Sequence, residues 1–256
     1  MAKKPDQSST QPKKNSRKEL IVVAIIGLVL ILLIGGIIFY FTVERPLLAP
    51  KTTLTLEPDL SLGGITISQD TLEETAKILR QRWSILGYGS PWTSFVATEK
   101  GQIIAKIPAD ADSEMIKLTK ATGVIEFVDF GKRPMDIGAI VNTDYSYGFQ
   151  KGEGTQWHTI MTGGQIHTIS VYKDQSGGYE ILFSLTEAGK KILTNYTTQN
   201  IDSYLGVLFD KAVIACPRIA TPMTNGTGVI NGQFTEQAAN ILVAIVRSGP
   251  LPIPLK

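Results

Sequence analysis

The sequence predicts an α+β protein carried on a single N-terminal transmembrane helix. Three observations point there: one charge-free apolar run near the start, strand-like and helix-like periodicities along the rest, and the order in which they alternate. The run "LIVVAIIGLVLILLIGGIIFYFTV", residues 20–43, carries no charged side chain. At about 1.5 Å per residue, a helix there reaches about 36 Å, enough to cross the hydrocarbon core with some tilt. Phe39, Tyr40 and Phe41 stand at its far end, where an aromatic belt belongs. Lys3, Lys4, Lys13, Lys14, Arg17 and Lys18 precede it, against only Asp6 and Glu19. The positive-inside rule therefore expects residues 1–19 as a basic cytoplasmic tail and everything beyond 43 outside. The run is too long for a cleaved signal, and no small-x-small site follows closely. A single-pass membrane protein, in contact with lipid through this anchor, is the expectation.

The formal net charge of +2 sits in the tail, and the remainder is slightly acidic. That excludes the basic face a folded nucleic-acid-binding unit needs. The single cysteine, Cys216, cannot form an internal disulfide, so the outer region must be held by its core.

After a stalk over 44–51, "TLTLEP" alternates as a strand. Asp70 with Glu73 forms a capping-box pattern, and Leu72, Ala76, Leu79, Trp83 and Leu86 then mark one face of a helix that Gly87 ends. "SFVATEKGQIIAKIP" is a hairpin turning near Lys100-Gly101. A second helix runs from Asp112 or Ser113 to Gly123, and "VIEFVDF" is a strand. The order β-α-β-β-α-β predicts a ferredoxin-like base over 52–130, with a four-stranded sheet and both helices on one face. From Gly131 to Gly164 periodicity is lost, and a loop-rich connection that includes Trp157 and His158 is expected. "IHTISVYKD" and "YEILFSL" then flank the turn "QSGG", and "EAGKKILTNYTTQ" is a helix in spite of Gly189, which costs about 1 kcal/mol relative to Ala. "YLGVLFDKAVIAC" is a hairpin around Asp210-Lys211. A tight turn there would favour glycine at 211, which leaves a longer loop open. "GTGVING" is the last strand, Thr235 caps a last helix through Arg247, and three prolines at alternating positions after Gly249 hold the end extended. The expected plan is a head subdomain over 131–226 inserted into the base, with 227–256 returning to the base as its final strand, helix and proline-rich exit.

No catalytic constellation emerges. His158 and His167 lack the spacing of metal ligands. "DADSE", 110–114, lacks the glycine and distal glutamate of a calcium loop and suits an acidic helix N-terminus. "EAGKK" is not a phosphate loop, because Ser184 and Lys191 stand at its diagnostic positions. Cys216 beside Pro217 in an apolar strand is an inert thiol. Neither enzymatic activity, metal nor cofactor is expected. Binding is the remaining task, and a cleft between two β-rich subdomains offers strand edges and shallow apolar pockets for it.

One resemblance covers almost all of the outer region. "VLFDKAVIACPRIATPMTNGTGVINGQFTEQAANILVAIVRSGPLPIPLK" resembles the end of the first extracytoplasmic domain of SecD, the accessory subunit of bacterial protein export. The matching positions there are Asp210, Pro217, Ile219, Ile230, Gly232, Phe234, Thr235, Gly249, Leu251, Pro252 and Pro254. "FSLTEAGKKILTNYT" adds Gly189, Leu193 and Thr197, and "MTGGQI" is similar to the entry into the head. In the base the matches are Arg82 and Gly87, Pro108 and Asp112, and Glu126 with Phe127. Most of these read as structural positions. The sequence departs from the family at "PDLSLGG", at Ala109 and Cys216, and at Lys211, where a turn glycine is usual. The resemblance implies an accessory protein of preprotein translocation in the bacterial cytoplasmic membrane. It would bind secreted polypeptide as it emerges, or dock on SecD/SecF or the SecYEG channel. In SecD the proline strut leads into further membrane helices that couple to protons. The run 20–43 has no Asp, Glu, His, Lys or Arg, so no proton-driven motor is expected here. The alternative is an envelope interaction or sensor module that uses the same domain outside export.

Overall fold

The computed structural model describes residues 17–39, 51–59, 67–146 and 156–256, with backbone alone at 17–26 and 233. The chain divides into two units, Met1–Ala49 and Pro50–Lys256. In the first, α1 spans Arg17–Phe39. Its side chains are described only over 27–39, a stretch shorter than a bilayer requires. Among the described residues no helix is long and apolar enough to cross a membrane. The span expected over 20–43 extends past that stretch on both sides. The tail to residue 16, Tyr40, Phe41, the stalk to Pro50 and most of "PDLSLGG" lie outside the described residues.

The second unit begins with β1 (Lys51–Leu56), α2 (Gln69–Ile85), β2 (Ser94–Ala97), β3 (Ile103–Pro108), α3 (Ser113–Lys120) and β4 (Ile125–Asp129). This is the expected β-α-β-β-α-β order, with α3 stopping three residues short of Gly123. The predicted apolar stripe of α2 is buried at Leu72, Ala76, Leu79 and Trp83. The cap differs from the expected box. Ser68 is the N-cap and accepts a hydrogen bond from Thr71 N–H at 3.1 Å. Asp70 lies within the first turn, where its charge suits the dipole.

The four-stranded base sheet is overturned. β1, β3 and β2 form a three-stranded antiparallel sheet in the order β1-β3-β2. β4 leaves it for a five-stranded sheet, β10-β9-β4-β6-β5, built with β5 (Asn142–Thr143), β6 (Gln156–Thr162), β9 (Leu205–Phe209) and β10 (Ala212–Ala215). The reason is burial on both faces. Ile125 and Phe127 enter one core, while Val128 and Phe130 enter another with Val141, Leu208 and Val213. Such a strand belongs in the middle of a sheet, and β4 pairs with β9 and β6 on its two edges. Beside the continuation of β1 lies the chain end instead. Asp59 N–H donates to Pro254 O at 2.9 Å and Lys256 N–H to Glu57 O at 2.9 Å. Leu251, Ile253 and Leu255 are buried in the base core, and the intervening prolines hold this segment extended.

Trp157 and His158, expected in a loop, lie in β6. That strand pairs with β4 through an irregular register, and with only two residues of β5. A third sheet, β11-β8-β7, contains β7 (Ile166–Lys173), β8 (Tyr179–Leu185) and β11 (Thr227–Phe234). Helices α4 (Glu187–Gln199) and α5 (Glu236–Ser248) complete the unit, capped by Thr186 and Thr235. Gly189 is required by contact as well as tolerated. A Cβ there would stand 2.7 Å from Gln165 Cβ and 3.0 Å from Gln165 O.

α5 joins the two main cores. Its Ile245 belongs to the core of the β1-β3-β2 sheet, whereas Ala239, Leu242 and Val243 belong to that of the β11-β8-β7 sheet.

Candidate functional site

The β9–β10 hairpin turns at Asp210 and Lys211, with φ of 46° and 70°. Both central residues are left-handed, as a two-residue hairpin turn requires, so the longer loop is not used. From this turn the two side chains reach opposite seams of the unit.

Asp210 reaches the base. Its carboxylate accepts hydrogen bonds from Gly123 N–H at 2.9 Å and Val124 N–H at 2.8 Å. Burial pushes the Asp210 carboxyl up, while those N–H groups and the charge of Arg82 pull the other way without cancelling it. Arg82 is 1% exposed on α2. Its guanidinium donates to Ala121 O (2.6 Å), Thr122 O (2.9 Å) and Gly249 O (3.0 Å), with longer bonds to Ser248 Oγ (3.2 Å) and Leu118 O (3.3 Å). One side chain thus gathers the ends of α3 and α5. Gly123 permits it, with φ of 89° and a position where a Cβ would fall 2.7 Å from Arg82 Nη2 and 2.4 Å from Ile245 Cγ2.

Lys211 reaches the other way. Its Nζ donates to Glu126 Oε1 at 2.8 Å, Thr143 Oγ1 at 2.6 Å and Tyr145 O at 2.8 Å. Glu126 is fully buried and also accepts from Thr143 and Thr159 hydroxyls. Burial, then the Glu126 charge, raises the Tyr145 phenol. Nearby on the surface, Asp144 accepts from Thr159 N–H and lies 2.6 Å from His158 Nδ1. Burial raises the Asp144 carboxyl, but these bonds outweigh it and leave it low.

The strands of the β9–β10 hairpin border an apolar groove of about 280 Å³. Leu118 and Ala121 of α3 form one wall, Ile241, Leu242 and Ile245 of α5 the other, and Phe209, Ile214 and Phe234 close it. Glu114 and Lys117 stand at the rim. Asp112, the N-cap of α3, accepts from Met115 N–H and from Gln237 at the start of α5, so it ties the walls together. Those two bonds, the Gln237 one foremost, hold its carboxyl low.

Of the family positions, Arg82, Asp210 and Gly249 therefore meet at one hub. Leu251 joins them by donating to Thr122 O at 2.7 Å, with Pro252 following. Phe234 and Asp112 border the groove, and Gly232 gives room to the Phe234 ring, 2.5 Å from where its Cβ would stand. The others lie apart. Gly87 follows α2 at φ of 88°, Pro108 ends β3, Gly189 sits in α4, and Pro217 O accepts from Leu205 N–H at 2.9 Å. Cys216 is half-buried, and burial raises its thiol. Sequence reasoning missed the role of Gly123 and the Glu126–Lys211 pair. The signal was a single acid inside the apolar run "VIEFV", with a lysine at a turn that favours glycine.

Residues 147–253 match the family model of the SecDF P1 head subdomain. Over that stretch the chain is similar to the SecD-type head. The protein translocase subunit SecD of Thermobaculum terrenum is 26% identical over 251 aligned positions, covering 76% of this chain and 48% of that protein. SecD of Dictyoglomus turgidum is 28% identical over 194, covering 75% and 42%. The chain thus spans about half the length of the curated relatives it matches. Among solved structures, one of a membrane component SecDF that enhances protein export superposes with a TM-score of 0.60 at 22% identity, over 80% of this chain and 97% of that one. At that identity the likeness is one of fold. The family match begins at 147 and so takes in β11 and α5 with the SecD-type head.

Proposed function

We propose that this is a SecD-like, membrane-anchored accessory protein of preprotein translocation. Residues 20–43 anchor it with the N-terminus in the cytoplasm, and the unit beyond holds polypeptide or translocon partners on the outer face. The groove between α3, α5 and the β9–β10 hairpin carries the reading. Its walls are apolar, its rim is charged, and it accepts one or two apolar side chains of an unfolded segment. The role proposed for it is to bind. The base is proposed to span 52–130, joined by 227–256, with the head between them. The charge-free anchor cannot carry protons by itself.

A photo-crosslinker at Ala238, on the groove wall, tests this in the full chain in cells. Secreted precursors or translocon subunits are expected to be labelled from Ala238 and not from Ile192, an exposed position on α4. Labelling of neither class, or equal labelling from both sites, counts against it.

A further inference from the structure

Among the described residues β7 pairs only with β8 and is an edge strand. Asp174 N–H donates to Gly178 O across their hairpin turn. Alternation from that pair directs the main-chain groups of Tyr172, Ser170 and Thr168 toward β8. Those of Ile169, Val171 and Lys173 then face the open edge, and none of them has a partner outside its strand among the described residues. Beside this edge lie two adjoining hollows of about 400 and 410 Å³ that share Gly163, Ile166, Val246 and Arg247. The second also borders His167, Thr168 and Ile169.

Charge is one-sided here. Arg247 is exposed on the last turn of α5, and its side chain makes no hydrogen bond or ion pair among the described residues. Among the described residues neither hollow is lined by an Asp or Glu, and His167 borders the second. An open strand edge recognises an extended backbone, and a guanidinium recognises a carboxylate through paired N–H bonds. Lining a hollow at that edge with a cation and no acid selects between extended segments.

We infer that the β7 edge and Arg247 form a second polypeptide site, taking an extended segment by strand addition and pairing Arg247 with an acidic side chain of it. This borrows from the proposed function only that the ligand class is polypeptide, and it assigns a site distinct from the apolar groove.

The test uses the full chain in detergent and three short fluorescent peptides. One alternates valine and glutamate, one has glutamine for glutamate, and one is the acidic peptide N-methylated at alternate residues. The acidic peptide is expected to bind about tenfold more tightly than either other. Arg247→Gln should remove that advantage and leave the glutamine peptide unchanged. Bound acidic peptide should slow hydrogen exchange at Ile169, Val171 and Lys173. Equal binding of acidic and glutamine peptides, or protection at the apolar groove instead, overturns the proposal. Ile241→Glu, which blocks the apolar groove, separates the two sites. It is expected to leave acidic-peptide binding intact even where crosslinking from Ala238 fails. Loss of acidic-peptide binding with an unchanged thermal melt would overturn the second site.

Discussion

Asp210 and Lys211 are neighbours in one turn, yet they anchor the chain by different physics. Asp210 is a half-buried acid held by main-chain N–H groups, those of Gly123 and Val124 foremost, with the Arg82 charge further off. Lys211 is a buried base with a carboxylate in direct contact, each charge further satisfied by threonine hydroxyls or a carbonyl. The first arrangement uses backbone geometry and tolerates little change in chain path. The second is a side-chain network whose members can be exchanged as a set. A buried ion pair often adds little net stability over an apolar pair of the same shape, but breaking one side of it is costly.

Arg82→Ala should give the largest effect. It strands several buried carbonyls at once and is expected to cost about 3–5 kcal/mol, read by urea denaturation of the full chain. Lys211→Met should come next. It leaves Glu126 charged and buried at a cost of about 3 kcal/mol, while the double variant Lys211→Met, Glu126→Leu should recover most of that. No recovery would erase the distinction drawn between the two sides of the turn. Ser68→Ala should cost about 1 kcal/mol, and Asp70→Ala much less, since only Ser68 caps α2.

Smallest, and opposite in sign, are two pH effects. The folded-state pKa of Asp210 is raised. Its contribution is therefore full below the unfolded value of about 3.9 and is lost as pH climbs through the raised folded value. Asp144 is lowered, so its contribution is present above about 3.9 and is lost as pH falls through its lower folded value. Melting curves of Asp210→Asn and Asp144→Asn, each set against the parent across acid pH, should diverge from it in opposite directions. Divergence in the same direction would show that the two carboxyls are not distinguished by burial.

The elements of the fold were legible where periodicity was strong. The Trp83 stripe, the β2–β3 hairpin and the helix over 187–199 follow from spacing and caps. The destination of β4 was not. A strand order suggests a topology, but the apolar run 124–130 asks for two covered faces, and only pairing over long sequence distances supplies them. Strand β6 was missed because its burial barely alternates and its neighbour β5 is two residues long. At the site, Arg82, Asp210 and Gly249 were named by resemblance to a family. Their meeting depends on Gly123, a glycine indistinguishable in sequence from an ordinary helix stop.

The helix that belongs to both main cores also limits how the protein can be cut. A fragment ending at 226 would take β7 and β8 without β11, and would strip away the segment roofing their inner face. A fragment beginning at 147, where the family match starts, would leave behind β4, the middle strand of the largest sheet. Either cut would part strands that share a sheet, all of which lie within the unit from Pro50 to Lys256.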